Sequence, residues 1–249
     1  MSTKKIVIIG ATSAIAEHCA RLWVNNSVID LTLVGRDAEK TERVADDLRV
    51  RSPKSVIHVL IANFIDSGAI QQLVDGIVAQ GAVDIVLVAH GSLPEQAICQ
   101  QNLAACNEAL TINGISPVLF AEAFAGHMQT ANHGTLAIIG SVAGDRGRQS
   151  NYVYGAAKGL VTRYAQGLQH RLAATGVKVV LIKPGPTDTP MTSRLKEQGS
   201  KLANVDDVAK IIINGIDQGA PVVYAPAKWA LIMMIIRHLP NFIFNKMKI

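Results

Sequence analysis

The sequence predicts an α/β fold in which a mostly seven-stranded parallel sheet is doubly wound, with helices on both of its faces. Three observations predict this fold. Short β-branched runs alternate with longer stretches of helical periodicity, as in repeated βαβ units. The runs are almost continuously apolar, which is typical of strands buried on both faces. Hydrophobic residues make up 49% of the chain and aromatic residues only 4%, so small aliphatic side chains must form the core.

The individual elements follow from the spacing of apolar residues and from the positions of Gly and Pro. The predicted strands are residues 5–9, 28–34, 55–60, 84–89, 134–140, 177–183 and 222–224. The predicted helices are residues 14–25, 38–50, 67–80, 95–129 with a break near Pro117, 151–175 and 205–218. Because the 249 residues contain no repeat, low-complexity segment or linker, we expect one domain over residues 1–249.

Composition and charge exclude several classes of protein. The formal net charge is +5, but no dense block of Lys or Arg occurs inside the chain, so nucleic acid is not an expected partner. The three cysteines, Cys19, Cys99 and Cys106, have no metal-binding or disulfide spacing, which fits a reducing cytosol and no metal site. The apolar run at residues 6–9 is shorter than the ~7–15 residues of a signal-peptide core, and no segment reaches ~18 uninterrupted apolar residues. We therefore expect a cytoplasmic protein.

The loop after the first predicted strand has the composition of a phosphate-binding turn. In doubly wound sheets, ligands bind beyond the carboxyl ends of the strands, where helix N-termini attract negative charge. Gly10 permits a tight turn at this edge. Small side chains, hydroxyl groups and a helix N-cap follow it, and the predicted nucleotide site includes Thr12, Ser13, Ala14 and Ile15. A capped strand–helix turn with no ligand is the alternative interpretation.

Gly35 and Arg36 follow the second predicted strand and bear on the choice of nucleotide. NAD-dependent enzymes commonly place an acidic residue here, which accepts hydrogen bonds from the adenosine ribose. An arginine fork instead matches a 2′-phosphate and stacks on adenine. We therefore expect NADP to be preferred, with NAD as the alternative cofactor and an exposed helix-opening arginine as the alternative interpretation.

Ser141, Tyr154 and Lys158 form the most specific pattern in the sequence. Tyr154 and Lys158 lie one turn apart on one face of a predicted helix, while Ser141 follows a predicted strand. A free phenol has a pKa of about 10, and a neighbouring ammonium favours the phenolate and should lower that pKa. The Ser141 hydroxyl can donate a hydrogen bond to a substrate oxygen as negative charge develops. Together they form a candidate site for proton transfer to a carbonyl group.

This spacing of Ser, Tyr and Lys resembles that of the classical short-chain dehydrogenase/reductase family, and the resemblance extends from Gly10 to Thr189. The resemblance implies a Rossmann-type fold and NAD(P)-dependent oxidoreductase activity on CH-OH and C=O groups. It also implies a fourth catalytic residue, Asn113, which supports a proton relay near Lys158.

The resemblance extends the cofactor site to further positions and also reveals departures from the family pattern. Alanines stand at positions 14 and 16, where relatives have glycines, and the paired asparagines that usually follow the fourth strand are absent. Asn63 stands in place of an aspartate, and its side-chain carbonyl can face the adenine amino group. The other cofactor-binding positions that the resemblance implies are Phe64, Ala89, His90, Gly91, Pro184, Gly185, Thr187 and Thr189, together with Tyr154 and Lys158.

Two segments in the last quarter of the chain are candidates for substrate contact. Residues 190–203 are predicted to form a mobile substrate lid, with Gly199 and Ser200 as hinges. Residues 229–249 form an apolar tail that is too short to span a bilayer. The Trp, Phe and Lys residues of this tail are typical of an interfacial anchor, and burial against the domain or in a subunit interface is the alternative.

A narrower resemblance is carried by residues 141–154, by Tyr224-Ala225-Pro226 and by the Arg-His-Leu-Pro sequence of the tail. These residues are similar to those of the decaprenylphosphoryl-pentose 2-keto reductases, which act with a flavin oxidase to epimerise a lipid-linked ribose to arabinose. The resemblance implies a polyprenylphosphoryl 2-keto-pentose substrate, with Arg146 and Arg148 as phosphate contacts. It also implies that the tail meets lipid, with peripheral contact at the inner face of the membrane.

These resemblances favour an enzyme that reduces a ketone to a secondary alcohol and assembles as a homodimer or homotetramer. A 3-oxoacyl reductase or a general carbonyl reductase with a small-molecule substrate remains open. A non-enzymatic NAD(P)-binding redox sensor is a further alternative, although a sensor has no need of the Ser, Tyr, Lys and Asn set. A lipid-surface scaffold that uses the tail also remains open. A sugar-nucleotide epimerase is disfavoured, since such relatives carry a larger C-terminal substrate domain.

Overall fold

The computed structural model describes residues 3–247 and contains one seven-stranded sheet. The strands are β1 (Lys4–Ile9), β2 (Ile29–Gly35), β3 (Val56–Ile61), β4 (Ile85–Val88), β5 (Thr135–Ile139), β6 (Lys178–Pro184) and β7 (Val222–Ala225). Their order is β3-β2-β1-β4-β5-β6-β7, and every neighbouring pair is parallel. The predicted doubly wound α/β fold is confirmed, and the strand order reverses between β1 and β4.

Helices connect the strands and cover both faces of the sheet. They are α1 (Ala14–Asn26), α2 (Ala38–Arg51), α3 (Ser67–Val78), α4 (Gln96–Gln101), α5 (Leu103–Leu110), α6 (Ser116–Ala131), α7 (Tyr152–Arg171), α8 (Ser193–Glu197), α9 (Val205–Gln218), α10 (Lys228–His238) and α11 (Asn241–Phe244). A π-helical turn occupies Thr111–Ile115, and 3₁₀ turns occupy Val142–Asp145 and Pro190–Thr192.

The long helix predicted over residues 95–129 is interrupted, but the prediction of a break near Pro117 is wrong. The break lies at Asn102, whose side-chain oxygen accepts hydrogen bonds from the backbone N–H groups of Ala104 (2.9 Å) and Ala105 (3.1 Å). This cap starts α5. Pro117 lies in the first turn of α6, directly after the π-helical turn, where the missing N–H of proline is tolerated.

The core consists of two apolar layers, one on each face of the sheet. Because strand side chains alternate between faces, Ile6 and Ile8 pack towards α1, α2 and α9, while Val7 and Ile9 pack towards α3, α6 and α7. Phe120 and Phe124 of α6 are among the largest fully buried side chains. Apart from these two residues, Trp23 and Phe64, the core is mainly aliphatic, as the composition predicts.

Residues 103–131 run through α5, the π-helical turn and α6, and this stretch is long and apolar enough to cross a membrane. Length and composition alone do not distinguish such a helix from a core helix of an α/β domain. In its most apolar window 50% of the residues are buried inside the structure. Phe120, Phe124 and Met128 belong to the core layer beneath the sheet, so the buried face of this stretch is part of the domain core.

The register of the parallel strands brings distant loops together at one edge of the sheet. Ile9 pairs with Val88, and Val88 pairs with Ile138, so β1, β4 and β5 end at nearly the same level. Ile182 of β6 pairs with Ile139. The loops that begin at residues 10, 89, 140 and 185 therefore meet at this carboxyl edge, which is where the sequence places its functional residues.

We expect Phe124→Ala to lower the free energy of unfolding by about 3–5 kcal/mol, because truncating a buried aromatic side chain leaves a cavity in the core. Leu103→Ala is the matched control, since Leu103 is 86% exposed and its truncation should change stability by less than ~0.5 kcal/mol. Urea unfolding followed by circular dichroism measures both values. Equal losses in the two variants would contradict the assignment of Phe124 to the core.

Candidate active site

The predicted catalytic residues line one pocket at the carboxyl edge of the sheet. Ser141 follows β5, and Tyr154 and Lys158 lie in the first two turns of α7. Of the other predicted positions, the same pocket is lined by Ser13, Ile15, Ala89, His90, Gly91, Pro184, Gly185, Thr187 and Thr189. The structure therefore brings together loops that are separated in sequence by up to about two thirds of the length of the chain.

Lys158 is a buried lysine with no carboxylate partner among the described residues. Its Nζ donates a hydrogen bond to the backbone oxygen of Ile139 at 3.0 Å. Burial lowers the pKa of Lys158 to about 8, because removing the ammonium from water disfavours the charged form. The charge of this side chain is therefore sensitive to pH in a range where an ordinary lysine would stay protonated.

The pKa of Tyr154 departs from the expectation drawn from the sequence, which was that Lys158 would lower it. Burial raises the pKa of the Tyr154 phenol, and a hydrogen bond with the Ser141 side chain acts in the opposite direction. The Lys158 Nζ lies 5.9 Å from the centroid of the Tyr154 ring, and the raised pKa follows from the desolvation of the phenol. The phenol is held in its protonated form, which is the form that a proton donor needs.

Asn113 lies in the π-helical turn and is fully buried directly behind Gly91. Its Oδ1 accepts a hydrogen bond from Ser92 N at 2.8 Å, and its Nδ2 donates to Ala109 O at 2.9 Å. A Cβ added at Gly91 would lie 2.9 Å from Asn113 Oδ1 and 3.7 Å from Lys158 Nζ. Asn113 and Lys158 therefore flank one small space at Gly91, and a π-helical turn at such a position is typical of functional sites.

The turn after β1 has the geometry of a nucleotide-binding turn. Gly10 has a φ of +85°, and a Cβ at this position would lie 2.6 Å from the Cβ of His90, so only glycine fits here. Ser13 is the N-cap of α1 and its hydroxyl makes no capping hydrogen bond. A groove lined by Gly10, Thr12, Ala14 and Arg36 joins the catalytic pocket, with which it shares Ser13, Ile15, His90, Gly91 and Thr189.

His90 lies where the groove and the catalytic pocket meet. Its Nε2 is 2.8 Å from Ser116 Oγ, and its ring packs edge-on against Phe64 and Phe120. Burial, reinforced by the positive charges of Lys158 and Arg36, lowers the pKa of His90 to about 3, so the imidazole is neutral at physiological pH. Its buried Nδ1 has no hydrogen-bond partner among the described residues.

The surroundings of Gly35 leave no room for an acidic side chain at the end of β2. A side chain at position 35 would overlap the Oγ1 of Thr41, which is fully buried and donates to Asp37 O at 2.6 Å. An acidic residue therefore does not fit where NAD enzymes commonly place one. The Arg36 guanidinium is exposed and lies 5.9 Å from the centroid of the Phe64 ring.

Asn63 has a different arrangement from the one that the sequence predicted. Its side-chain oxygen accepts hydrogen bonds from Ile65 N at 2.9 Å and from Asp66 N at 3.3 Å, so it shapes its own turn. The predicted use of this oxygen for the adenine amino group conflicts with that turn. The side-chain amide nitrogen is the group that Asn63 has left for a ligand.

The catalytic pocket and the adjoining groove fit a nicotinamide dinucleotide. The glycine turn allows close approach to a pyrophosphate, the N-terminus of α1 attracts its charge, and the orphaned Nδ1 of His90 can hydrogen-bond to it or to a ribose. Among residues 3–247, no group of three His, Cys, Asp or Glu side chains is arranged as a metal site requires.

Comparisons with known proteins identify the family over most of the chain. A family profile described as short chain dehydrogenase matches residues 4–200. The chain belongs to the short-chain dehydrogenase family. As a short-chain dehydrogenase, it is an oxidoreductase that acts on CH-OH or C=O groups with a nicotinamide cofactor.

Two relatives of this short-chain dehydrogenase cover almost the whole chain. An uncharacterized oxidoreductase of Mycobacterium tuberculosis is 30% identical over 245 residues, which is 97% of this chain and 96% of that protein. An uncharacterized oxidoreductase of Streptomyces coelicolor is 27% identical over 244 residues, which is 98% of this chain and 96% of that protein. Neither name specifies a substrate.

Solved structures share the fold. A short-chain dehydrogenase from Sphingobium yanoikuyae in complex with NADPH has a TM-score of 0.81 at 24% identity, covering 95% of this chain and 97% of that one. A short chain dehydrogenase from Burkholderia cenocepacia in complex with NADP has a TM-score of 0.83 at 15% identity, covering 100% and 98%.

Behind the catalytic pocket, the short-chain dehydrogenase has a buried ion pair that the sequence analysis did not identify. Lys183 of β6 lies 2.5 Å from one carboxylate oxygen of Asp145, and the Tyr224 hydroxyl of β7 donates to the other at 2.8 Å. Desolvation and this hydrogen bond raise the pKa of Tyr224 to about 12. The pair anchors the turn after Ser141 to the sheet. The signal available in the sequence was a lysine inside an otherwise apolar strand.

The prediction that Arg146 contacts a substrate phosphate is wrong. Arg146 Nη1 donates hydrogen bonds to the backbone oxygens of Ile236 and Leu239, both at 2.6 Å, and its guanidinium lies 3.8 Å from the Phe244 ring centroid. Nη2 donates to Asn241 Oδ1 at 3.0 Å. Its donors are therefore used to hold the end of α10, where several backbone carbonyls have no helical partner.

Arg148, by contrast, lines the catalytic pocket and forms no ion pair within residues 3–247. Its closest polar contact is between Nη2 and the Met233 sulfur at 3.8 Å, and its buried Nε has no hydrogen-bond partner among the described residues. Burial lowers the pKa of Arg148, partly offset by Asp145. The nearby Asp145 is already bound to Lys183 and Tyr224, so Arg148 is left free for an anion.

The segment predicted as a substrate lid closes one side of the pocket. Met191, Thr192 and Leu195 line the pocket, and Arg194 forms an ion pair with Glu95 just before α4. Gly199 has a φ of +80°, which suits the predicted hinge. Movement of this segment stays a prediction.

We expect NADPH to bind more weakly as pH rises through about 8, because Lys158 then loses the positive charge that attracts the anionic cofactor. Protein fluorescence measures the dissociation constant across neutral and alkaline pH. In Lys158→Arg the guanidinium stays charged, so the weakening should move to higher pH. If both proteins weaken at the same pH, another group is titrating.

Proposed function

We propose that this short-chain dehydrogenase reduces a ketone to a secondary alcohol with NADPH. The proposal rests on one observation: Ser141, Tyr154 and Lys158 line a single pocket that continues into the nucleotide groove. A redox sensor that only binds the nucleotide has no use for a proton donor beside it. The complete set of residues therefore favours catalysis.

Each catalytic residue has a defined role in this proposal. The bound nicotinamide supplies the hydride. The buried phenol of Tyr154 is protonated and gives its proton to the substrate oxygen, while the Ser141 hydroxyl donates a hydrogen bond to the same oxygen. The ammonium of Lys158 stabilises the phenolate that remains. Asn113, which lies with Lys158 beside Gly91, supports the return of a proton to Tyr154.

Two observations support NADPH as the preferred cofactor. The overlap with Thr41 disfavours an acidic residue at position 35, and the exposed Arg36 guanidinium at the groove can bind a 2′-phosphate. The structurally similar proteins from Sphingobium yanoikuyae and Burkholderia cenocepacia were solved with NADPH and NADP. We propose NADPH as the preferred cofactor of this chain.

The substrate that we propose is a polyprenylphosphoryl 2-keto-pentose, reduced in partnership with a flavin oxidase. The Arg148 guanidinium supports a phosphate-bearing ketone, since a half-buried arginine that forms no ion pair within residues 3–247 is well compensated by a bound anion. The contact of Arg148 with Met233 of α10 supports a path along the apolar tail, by which the lipid chain of such a substrate would leave the pocket.

A general carbonyl reductase is the second candidate. Leu93, Met191 and Leu195 give the pocket an apolar wall that suits an uncharged bulky ketone. A structurally similar alcohol dehydrogenase from Comamonas testosteroni is described as specific for bulky-bulky ketones, at 22% identity and a TM-score of 0.80. In either case we propose a homodimer or homotetramer, as the family resemblance implies.

Arg36→Ala should weaken NADPH binding by about tenfold to a hundredfold, which is the effect of losing a charge-assisted hydrogen bond to phosphate. NADH binding should change little, because NADH lacks the 2′-phosphate. Fluorescence titrations of both nucleotides measure this difference. Arg163→Ala on the exposed surface of α7 is the matched control. Equal loss for both nucleotides would contradict the role of Arg36 as a phosphate contact.

Tyr154→Phe should lower the rate of ketone reduction by about a hundredfold to ten thousandfold, because it removes the proton donor, while NADPH binding is retained. Tyr152→Phe is the matched control, since Tyr152 lies on the same helix but is 44% exposed. NADPH consumption is followed with a panel that includes a polyprenylphosphoryl 2-keto-pentose and the same sugar without phosphate.

The panel separates the candidate functions. Turnover of the phosphorylated ketone alone supports the lipid-linked substrate, and turnover of uncharged ketones supports a general carbonyl reductase. NADPH binding without turnover of any ketone would favour the redox sensor, and unchanged turnover by Tyr154→Phe would rule out the proposed mechanism.

A further inference from the structure

Helices α10 and α11 and the residues that follow them expose several large apolar side chains to solvent. On α10, the exposed residues Leu231, Met234 and Ile235 follow the i, i+3, i+4 spacing of one helix face. On and after α11, Phe242 is 71% exposed, and Ile243 and Met247 are also exposed. We call these six residues the C-terminal apolar face. Clustered exposure of this kind marks an interaction surface more often than scattered single residues do.

The C-terminal apolar face is held in place by its own domain. Met233 on the opposite side of α10 is fully buried, and the Trp229 ring lies against the backbone of Gly185. The hydrogen bonds from Arg146 to Ile236 and Leu239 fix the end of α10 and lead the chain into α11. The exposed side chains therefore belong to a segment that is packed on one side and unpartnered on the other.

The charged side chains of the C-terminal segment itself are all basic. From position 219 to position 249 the sequence has no Asp or Glu, and it has four basic residues: Lys228, Arg237, Lys246 and Lys248. Lys228, Arg237 and Lys246 are exposed in the structure. Apolar residues on one face with Lys and Arg beside them are the composition of a helix that lies in a membrane interface.

These charges distinguish between two occupants of the face. A symmetric contact with a second copy would place the same surface against itself, so each cationic rim would oppose a cationic rim. With no acidic residue from position 219 onwards, that rim has no carboxylate of its own segment to pair with. An anionic lipid surface attracts these charges and also receives the apolar side chains.

We propose that α10 and α11 dock the protein on the surface of an anionic lipid bilayer, with the C-terminal apolar face inserted at the level of the headgroups. Because Trp229 adjoins Gly185 and Met233 adjoins Arg148, docking places the mouth of the catalytic pocket beside the lipid surface. Docking does not depend on the proposed ketone substrate, and its test requires no turnover.

The test is flotation of the purified full-length protein with two kinds of vesicle. One contains equal parts of phosphatidylglycerol and phosphatidylcholine, and the other contains phosphatidylcholine alone. We expect wild type to float with the anionic vesicles, to float less as salt is raised, and to stay unbound with phosphatidylcholine alone. The doubly substituted Leu231→Glu, Ile235→Glu protein should lose about tenfold or more of its vesicle binding.

Two further variants keep this test decisive. Leu103→Glu, at an 86% exposed leucine of α5, is the matched control and should bind vesicles as wild type does. Lys228→Glu, Lys246→Glu alters only exposed charges, so its fold is not at risk, and it should also lose binding to anionic vesicles. NADPH titration confirms that each variant retains its nucleotide site.

Two results of the flotation test would overturn the proposal, and a third result would come from light scattering. One is the absence of flotation with anionic vesicles. The other is flotation that the Leu231→Glu, Ile235→Glu protein retains. If wild type instead forms an oligomer that this variant disperses, as measured by light scattering, the face binds a second copy of the chain and the lipid proposal is wrong.

Discussion

The parallel register of β1, β4, β5 and β6 is the constraint on which the rest of the molecule depends. Because these strands end at nearly the same level, the loops after Ile9, Val88, Ile139 and Pro184 meet in one cleft. The reversal of strand order between β1 and β4 opens that cleft for a ligand. Gly10, Ser141 and Gly185 therefore lie along the same edge of the sheet, although they are distant in sequence.

Burial without acidic partners determines the electrostatics of this cleft. Within the part of the chain that the structure describes, the lining of the catalytic pocket includes Lys158 and Arg148 and no carboxylate. Desolvation lowers the pKa of Lys158 and of His90 and raises that of Tyr154, so each group is shifted towards its neutral form. Burial disfavours the charged forms of the lysine and the arginine, whereas a bound anion favours them. The site is thus suited to a nucleotide and to a substrate that carries negative charge.

The turn after Ser141 and the C-terminal segment are parts of one structural unit. Asp145 ties the turn to Lys183 and Tyr224 in the last two strands, and the adjacent Arg146 binds the carbonyl groups at the end of α10. A buried ion pair of this kind fixes the position of the turn more than it raises the net free energy of unfolding, since desolvation offsets much of its attraction. Any ligand that settles on α10 therefore meets an element that is connected to the Ser141 loop by hydrogen bonds.

The sequence by itself determined the α/β class, the parallel sheet and the identity of Ser141, Tyr154 and Lys158. It did so because strand burial, helical periodicity and the four-residue spacing of Tyr and Lys are local properties of the chain. The position of the break at Asn102 was harder to predict, since it depends on a capping side chain, while Pro117 is tolerated directly after the π-helical turn. The side-chain oxygen of Asn63 likewise accepts a hydrogen bond within its own turn, from Ile65 N.

Only the tertiary structure decided which groups are free to act. Arg146 and Arg148 are two residues apart and chemically alike, yet one is bound by carbonyls of α10 and the other faces the pocket. The direction of the Tyr154 pKa was decided in the same way, by the depth of its burial and not by its spacing from Lys158. The solvent exposure and the hydrogen-bond partners of these side chains depend on segments that are far apart in the sequence. No local pattern therefore encodes them.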